Sequence, residues 1–348
     1  MIDISGENVV LVGALLLFVA VMAGKVAYRF GAPALLLFLG VGMLFGLDFI
    51  SYRSVDMTQF VGMIALCIIL FTGGMDTSFQ EIKPIIGPGV VLATVGVVMT
   101  AVVLAGFVWL IAPWIGLQIS FPLALLLAST MSSTDSASVF SILRSKKQGL
   151  KQHLRPLLEL ESGSNDPMAY MMTILLISIV TNTSGGVGMG MSIVYFVIQM
   201  IVGALSGYLI GRLAVWTINK INLANHSLYS VLLLAFIFFA FAFTDLVRGN
   251  GYLAVYLAGL VVGNHKLTQK RSLTVFFDGF TWLMQIVMFL TLGLFVNSDE
   301  LFRSEVLILG CAVGAFMILV ARPVTVFACL LPFRRFTTKA RPYISWVG

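Results

Sequence analysis

The sequence predicts an all-α polytopic membrane protein, and its composition is the first reason. Of the 348 residues, 59% are hydrophobic and only 10% are charged, whereas about 25% charged residues are usual in soluble domains. So few charges cannot cover a water-exposed surface. The composition therefore excludes a soluble globular protein and a disordered chain.

Eleven apolar runs along the chain are the second reason. A helix needs roughly 20 residues to cross a bilayer, and turn-forming residues such as Thr183-Ser184-Gly185-Gly186 and Gly249-Asn250-Gly251 separate neighbouring runs. We predict about 11 spanning helices, of which the ninth is short. They lie near residues 6–24, 31–50, 57–75, 84–112, 120–143, 153–181, 189–217, 226–244, 250–264, 272–296 and 305–332.

The distribution of basic residues predicts the orientation of these spans. Of the 21 Lys and Arg residues, 17 lie in loops after odd-numbered runs, three lie in loops after even-numbered runs, and Arg322 lies inside the last run. Cytoplasmic loops carry the excess of Lys and Arg in membrane proteins. The N-terminus is therefore predicted outside and the C-terminus in the cytoplasm. The net charge of +6 reports this topology, and we expect no nucleic-acid partner.

Glycines recur at four-residue spacing in three of the runs. Such a stripe leaves one helix face flat, so that a neighbouring helix can approach closely. We interpret the stripes as helix packing. Their members are Gly203, Gly207 and Gly211; Gly259 and Gly263; and Gly310 and Gly314.

The fifth run contains an unusually polar stretch. Eight of the ten residues from Ser129 to Ser138 are Ser, Thr or Asp, and these side chains compete with helical hydrogen bonds. The stretch predicts a broken helix that lines a wet cavity, where backbone carbonyls and the Thr134 hydroxyl can face a small cation. The alternative is a continuous helix whose serines bond back to carbonyls.

The sixth run contains Glu161-Ser162-Gly163-Ser164-Asn165-Asp166-Pro167. On a helix, Glu161 and Asn165 share a face, as do Ser162 and Asp166, because residues four apart are neighbours. Pro167 removes one backbone donor. Hard monovalent cations prefer oxygen ligands, which Asp166, Ser162, Thr134 and nearby carbonyls can supply.

Four charged residues lie deep inside the predicted spans: Asp135, Glu161, Asp166 and Arg322. A charge at the bilayer centre costs at least about 2.5 kcal/mol and indicates a function. An unpaired Arg322 would be costly, and either Glu161 or Asp135 can be its partner. Asp166 and Glu161 cannot both be satisfied by one arginine, so one of these two acids is left to bind a proton or a cation in competition. Glu159 and Asp278 lie near cytoplasmic helix ends, where we expect solvated or capping side chains.

These residues resemble the NhaP/CvrA-type monovalent cation:proton antiporters, bacterial potassium/proton antiporters related to the sodium/proton exchangers. The ordered set of motifs runs over essentially the whole chain. It comprises Phe71-Thr72-Gly73-Gly74-Met75, Ser133-Thr134-Asp135, Glu161 to Pro167, Leu253-Ala254-Val255-Tyr256-Leu257, Asn264, Phe277-Asp278-Gly279, Gln285-Ile286, Ala321-Arg322-Pro323 and Ile344-Ser345-Trp346-Val347-Gly348.

The resemblance implies a fold and a mechanism. The fold is the sodium/proton-antiporter fold of two inverted repeats, split into a dimerisation domain and a mobile core domain, and residues 1–348 form one transmembrane antiporter domain. Transport is elevator-type alternating access by a homodimer in the bacterial inner membrane. No cofactor is expected beyond the transported ions, K⁺ or Na⁺ and H⁺.

The resemblance also implies roles for single residues. Asp166 binds cation and proton in turn, and Thr134, Ser162 and Asn165 complete the site. An asparagine before the aspartate is associated with electroneutral exchange. Asp135 balances the helix ends at the crossover, and Glu161 pairs with Arg322 as structural support.

The chain departs from the family in two places. Relatives continue past Gly348 with two more helices, so the C-terminal helices are expected to be missing here, and half of the helix crossover with them. Many relatives also have an acid where this chain has Thr72, and we assign Thr72 no role in binding.

Three alternatives were weighed against the antiporter. A passive cation channel would expose its acids to a continuous pore. A truncated antiporter would retain the fold and lack transport. An enzyme such as an intramembrane protease would need a complete catalytic set, and the sequence contains none, so we predict that the protein is not an enzyme.

Overall fold

The computed structural model describes residues 6–30, 34–48, 54–134, 139, 154–181, 189–333 and 340–347. All regular elements in these ranges are helices. They are α1 (Gly6–Phe30), α2 (Ala34–Asp48), α3 (Val55–Asp76), α4 (Phe79–Ile115), α5 (Phe121–Met131), α6 (Leu154–Val180), α7 (Met189–Lys220), α8 (Leu228–Leu246), α9 (Gly251–Gly263), α10 (Lys270–Phe295), α11 (Ser304–Leu330) and α12 (Ala340–Val347), with a four-residue helix at Ser298–Leu301 before α11.

Each of the eleven predicted apolar runs coincides with one of the helices α1 to α11. Six of them, α3, α4, α7, α8, α10 and α11, are long and apolar enough to cross a membrane. The helices α1, α2, α5 and α9 are apolar and shorter over the described residues. The helix α6 has 27 residues, but its polar middle lowers its hydropathy. Eleven spans are therefore not established by length and apolarity alone.

The chain divides into two compact units. The first comprises Met1–Ile69 and Arg271–Arg303, and in it α2 packs closely against α10. A Cβ atom added to Gly42 would lie 2.9 Å from the Cα atom of Gly293, and one added to Gly46 would lie 3.4 Å from the Cα atom of Leu294. Larger residues at Gly42 would separate the two backbones.

The second unit comprises Leu70–Lys270 and Ser304–Gly348, and α9 lies in the middle of its packing. The α7 glycines face the α9 backbone: a Cβ atom on Gly207 would lie 2.7 Å from the Cα atom of Ala254, and one on Gly211 would lie 3.0 Å from that of Ala258. On α9, Gly259 approaches the Cα atom of Phe71 in the same way, at 3.0 Å. These two glycine stripes pack as predicted.

The third glycine stripe differs from the prediction. Within the described part of the chain, no atom lies within 4 Å of a Cβ atom added to Gly310 or Gly314. The four-residue spacing is the same as in α7, but α11 turns this face away from its neighbours. Spacing alone does not tell which small-residue face meets another helix.

The helix α6 is enclosed by α4, α5 and α9. Two π turns occur in the helices of this unit, Leu92–Gly96 in α4 and Met317–Ala321 in α11. Gly96 faces the methyl group of Thr325, and the Thr100 hydroxyl donates to that of Thr325 across 3.2 Å. These contacts bring α11, and with it Arg322, against the helices around α6.

Candidate functional site

The helix α5 ends at Met131, within the predicted polar stretch. The Ser129 hydroxyl donates to the carbonyl of Leu126 at 2.7 Å, and that of Ser132 donates to the carbonyl of Ser129 at 2.8 Å. Residues 132–134 are not helical, because these side chains take over backbone acceptors at the helix end. The second half of the stretch, which includes Asp135, lies outside the described residues, so a break across the whole stretch remains a prediction.

The non-helical segment that follows α5 places Ser133 next to the middle of α6. Its hydroxyl oxygen lies 2.6 Å from Oδ1 of Asp166 and 2.9 Å from Oδ1 of Asn165. A hydroxyl has one proton, and the nearer carboxylate of Asp166 is a stronger acceptor than the amide oxygen of Asn165. Ser133 therefore donates mainly to Asp166, and the lone pairs of its own oxygen remain available beside the carboxylate.

Thr134 joins the other polar residues of α6. Its hydroxyl accepts from Nδ2 of Asn165 at 2.7 Å and lies 3.0 Å from the hydroxyl of Ser162. Because Thr134 accepts from the amide, its own proton is available for Ser162. Asn165 and Ser162 are buried, with 1% and 0% of their surface exposed, so these bonds hold α5 and α6 in one register.

Among the residues that the structure describes here, one carboxylate is combined with several neutral oxygens. Asp166 is partly exposed, as are Ser133 and Thr134, whereas Asn165 and Ser162 lie behind them. Carboxylate, hydroxyl and amide oxygens suit hard cations, and a single carboxylate matches a single positive charge. Chemically, the cluster can hold a monovalent cation or a proton at Asp166.

The charge of Arg322 is balanced by Glu161, outside the cluster around Asp166. Its Nη2 atom donates to Oε1 of Glu161, and both side chains are buried. Glu161 Oε2 makes no hydrogen bond to any described residue. Glu161 therefore binds the arginine, and Asp166, five residues later on α6, accepts from the Ser133 hydroxyl.

Sequence reasoning missed the contribution of Asn250. This residue caps α9, with its Oδ1 atom accepting from the backbone of Leu253 at 3.0 Å, and its Nδ2 atom donates to the carbonyl of Pro167 at 3.2 Å. Its backbone N–H donates to the carbonyl of Gln199 in α7 at 3.0 Å. Asn250 thus ties the carbonyl of Pro167, the residue after Asp166, to two other helices. The Gly249-Asn250-Gly251 sequence predicts a break between two runs, and the further signal in it is an N-cap residue before an apolar run.

Of the predicted site residues, the structure brings four into one hydrogen-bonded cluster and two into an ion pair. Asp135 lies among the residues whose positions are not described. Ser133 joins this cluster without having been predicted as a site residue, and its position next to Thr134 in the polar stretch is the sequence signal for it. The clustered residues are Thr134, Ser162, Asn165 and Asp166, and the paired ones are Glu161 and Arg322.

Comparison with known proteins places this geometry in a family context. Residues 14–348 match the family profile described as "Sodium/hydrogen exchanger, transmembrane". The chain is 39% identical to the K(+)/H(+) antiporter NhaP of Alkalimonas amylolytica and 36% identical to the K(+)/H(+) antiporter NhaP2 of Shewanella sp. (strain ANA-3), in each case over 97% of this chain and 58% of the relative. It therefore spans less than two thirds of the length of these relatives.

A solved structure has a similar fold. The sodium proton antiporter MjNhaP1 from Methanocaldococcus jannaschii at pH 8 superimposes with a TM-score of 0.80, covering 97% of this chain and 82% of that one. The two sequences are 21% identical. This likeness therefore bears on the fold and not on the transported ion.

Proposed function

The chain belongs to the sodium/hydrogen exchanger family, whose members are membrane transporters and not enzymes, and from this premise we propose that it exchanges a monovalent cation for H⁺. The chain is a multi-pass membrane protein. The proposed cation is K⁺, Na⁺ or both, and the proton and the cation compete for the carboxylate of Asp166.

One observation carries this proposal: at the meeting point of α5 and α6, the described residues place the carboxylate of Asp166 within a cluster of neutral oxygens. The Ser133 hydroxyl is 2.6 Å from Asp166, and Thr134 links Ser162 and Asn165 behind it. A cation needs several oxygens to replace its water shell, and a proton needs only the carboxylate. The same group can therefore bind both, one at a time.

The identity of the residue before Asp166 supports electroneutral exchange. Asn165 supplies an amide where a second carboxylate would add another negative charge, and the described contacts use it to hold Thr134. When H⁺ and a monovalent cation replace each other on Asp166, the site has the same net charge whichever of the two it holds. The proposed stoichiometry is therefore one for one.

The names of the two bacterial relatives favour K⁺ as the transported cation, since both relatives are K(+)/H(+) antiporters.

The rest of the transport cycle is part of the same proposal: elevator-type alternating access by a homodimer in the bacterial inner membrane, with the N-terminus outside. The inverted repeats belong to it as well. The π turns in α4 and α11 support the repeats, because two separate helices of this unit share the same rare irregularity.

The experiment is proton flux in proteoliposomes that contain a trapped pH dye and an imposed K⁺ or Na⁺ gradient. The chain is expected to couple the cation gradient to a pH change, and Asp166→Asn is expected to abolish this change. Asp56→Asn, at an exposed position in the first turn of α3, is the control and keeps the flux. Undiminished exchange by Asp166→Asn would refute the site. Cation flux that moves protons only after a protonophore is added would indicate a passive channel.

A further inference from the structure

Pro167 interrupts α6 in the turn that carries Asp166. It is the central residue of this helix, which runs from Leu154 to Val180. Proline has no backbone N–H, so the carbonyl of Gly163 loses the donor that it would have in an unbroken helix. The hydrogen bonds of α6 therefore hold this turn less firmly than the rest of the helix. A support from outside the helix is needed if Asp166 is to keep a fixed position.

Asn250 supplies such a support at the proline itself. Its Nδ2 atom donates to the carbonyl of Pro167 across 3.2 Å in a buried hydrogen bond, and only 2% of Asn250 is exposed. The same Nδ2 atom also contacts the sulfur of Met200 at 4.0 Å. Because a buried hydrogen bond is not replaced by water when it is lost, the Asn250 amide restrains the backbone one residue after Asp166.

Asn250 is itself held by two helices. Its Oδ1 atom accepts from the backbone N–H of Leu253 at 3.0 Å and so caps α9. Its backbone N–H donates to the carbonyl of Gln199 in α7 at 3.0 Å, and a Cβ atom added to Gly203 of α7 would lie 2.7 Å from the Asn250 carbonyl oxygen. Since rotation of the amide would break the cap, the Nδ2 atom stays directed at Pro167.

Two further contacts between α9 and α6 lie on either side of Pro167. The ring of Tyr256 covers Gly163, where an added Cβ atom would lie 2.8 Å from Cζ, and the rings of Tyr170 and Tyr252 meet edge to face at 5.2 Å. Gly163, Pro167 and Tyr170 follow one another at spacings of four and three residues and so share one face of α6. The helix α9 therefore supports α6 before, at and after the interruption.

We propose that Asn250 is a positioning residue for the cation site: through the carbonyl of Pro167 it fixes the interrupted turn of α6 and keeps the Asp166 carboxylate beside the Ser133 oxygen. This inference rests on the exchange function proposed above. A cation needs several oxygens at once, and a binding site must hold its groups to within about 0.5 Å. A proton needs only the carboxylate. Loss of the Asn250 bond is therefore expected to weaken cation binding even at a pH where Asp166 is fully ionised.

Two substitutions at Asn250 separate the bond to Pro167 from the cap of α9. Asn250→Ser keeps a capping oxygen, because Ser and Asn are similarly effective at this position, but its side chain cannot reach the Pro167 carbonyl. Asn250→Ala removes both the bond and the cap. In proteoliposomes, both variants are expected to raise the KM for K⁺ about fivefold, which corresponds to roughly 1 kcal/mol, with an unchanged maximal rate. Asn250→Ala is expected to melt at a lower temperature than Asn250→Ser, because only the alanine variant lacks the cap. A normal KM in Asn250→Ser would show that only the cap matters and would overturn the proposal.

Gly207→Ala is the control for a general loosening of α7 against α9. Gly207 lies one turn beyond Gly203 and packs against the α9 backbone at Ala254. The substitution is expected to lower the melting temperature and to leave the KM for K⁺ unchanged. If Gly207→Ala raises the KM as much as Asn250→Ser does, at an equal loss of melting temperature, the role of Asn250 is only structural and the proposal is wrong.

The proline provides a second test. Pro167→Ala restores a backbone N–H, and with it the donor for the Gly163 carbonyl, so α6 can support its own turn. The carbonyl of residue 167 is still present as an acceptor for Asn250. Adding Asn250→Ser to Pro167→Ala is therefore expected to change the KM by less than about twofold, compared with about fivefold when the proline is present. An equal effect in both backgrounds would contradict the proposal, because Asn250 would then not compensate for the proline.

Binding of ⁸⁶Rb⁺ to the purified protein tests the positioning role without any transport. Above the titration of Asp166, the affinity of Asn250→Ser for Rb⁺ is expected to be about fivefold lower than that of the unmodified protein. Equal affinities there, with a difference only at lower pH, would mean that Asn250 acts on the proton and not on the position of the cation ligands, and would refute the proposal. Failure of the exchange function would appear separately, as absence of coupled flux in the unmodified chain.

Discussion

The hydroxyl of Ser133 donates to Oδ1 of Asp166 across 2.6 Å and so joins the non-helical end of α5 to the middle of α6. A hydrogen bond to a charged acceptor contributes about 1.5–3 kcal/mol. The same oxygen keeps lone pairs that face the space beside the carboxylate. One side chain thus holds the acid in place and supplies a further ligand for the proposed cation.

Replacing this hydroxyl is expected to weaken cation binding more than folding. Ser133→Ala removes both the donor to Asp166 and one cation ligand, and we expect the KM for the cation to rise roughly tenfold, in line with the loss of about 1.4 kcal/mol. Ser133→Thr keeps the hydroxyl and is expected to restore most of the affinity. The measurement is dye-reported flux against cation concentration. A KM unchanged in Ser133→Ala would show that the bond is dispensable for binding.

Loss of Arg322 is expected to affect stability. Arg322→Ala leaves the buried carboxylate of Glu161 without its positive partner, which costs about 3–5 kcal/mol for a buried ion pair. The melting temperature in detergent is expected to fall. Adding Glu161→Gln removes the unpaired charge and is expected to recover much of the loss. An unchanged melting temperature in Arg322→Ala would argue against a stabilising role for this pair.

The pH dependence follows from competition at one carboxylate. Lowering the pH protonates Asp166, and a protonated acid cannot bind the cation at the same time. Below the carboxylate's own titration point, the apparent cation affinity is therefore expected to fall about tenfold for each pH unit, because one proton is released per cation bound. Raising the pH above that point makes the affinity constant. Rb⁺ binding measured across the titration of Asp166 checks this, and an affinity that stays constant through that titration would contradict competition.

The glycines of α7 and α11 provide a matched test of helix packing. Gly207→Ala places a Cβ atom against the α9 backbone, 2.7 Å from the Cα atom of Ala254, and overpacking of this kind typically costs about 1–3 kcal/mol. Gly310→Ala enters a face with no described neighbour within 4 Å and is expected to be neutral or stabilising by up to about 1 kcal/mol through helix propensity. The two melting temperatures give the comparison, and equal shifts would contradict this account of the α7–α9 contact.

Several features of the molecule follow from the sequence with little ambiguity. The eleven apolar runs anticipated α1 to α11 because burial of backbone groups in lipid demands long helices, and apolar length is visible in sequence. The polar stretch at Ser129 marked the end of α5, since hydroxyl side chains compete for helical acceptors. Arg322 predicted a buried partner, because an unpaired charge deep inside a membrane span is costly.

Other features depend on distances between residues far apart in the chain. Arg322 had two possible acids, and only the packing of α11 near α6 brings Glu161 to it. Glu159 looked like a solvated or capping residue at a helix end, yet the fold buries it, with 6% of its surface exposed, and Arg155 donates to its carboxylate. Gly207 and Gly310 have the same spacing pattern, but only the first meets another helix.

By itself, the sequence determined that this protein lies in a membrane, which residues form its helices and which charges are too costly to be there without purpose. Each of these depends on one residue's own solvation or on its neighbours along the helix. Only the tertiary structure decided that Ser133 bonds to Asp166, that Asn250 holds the carbonyl of Pro167 and that Glu161 takes the arginine. Hydrogen bonds and ion pairs act over about 3 Å, so they exist only where packing brings distant segments together.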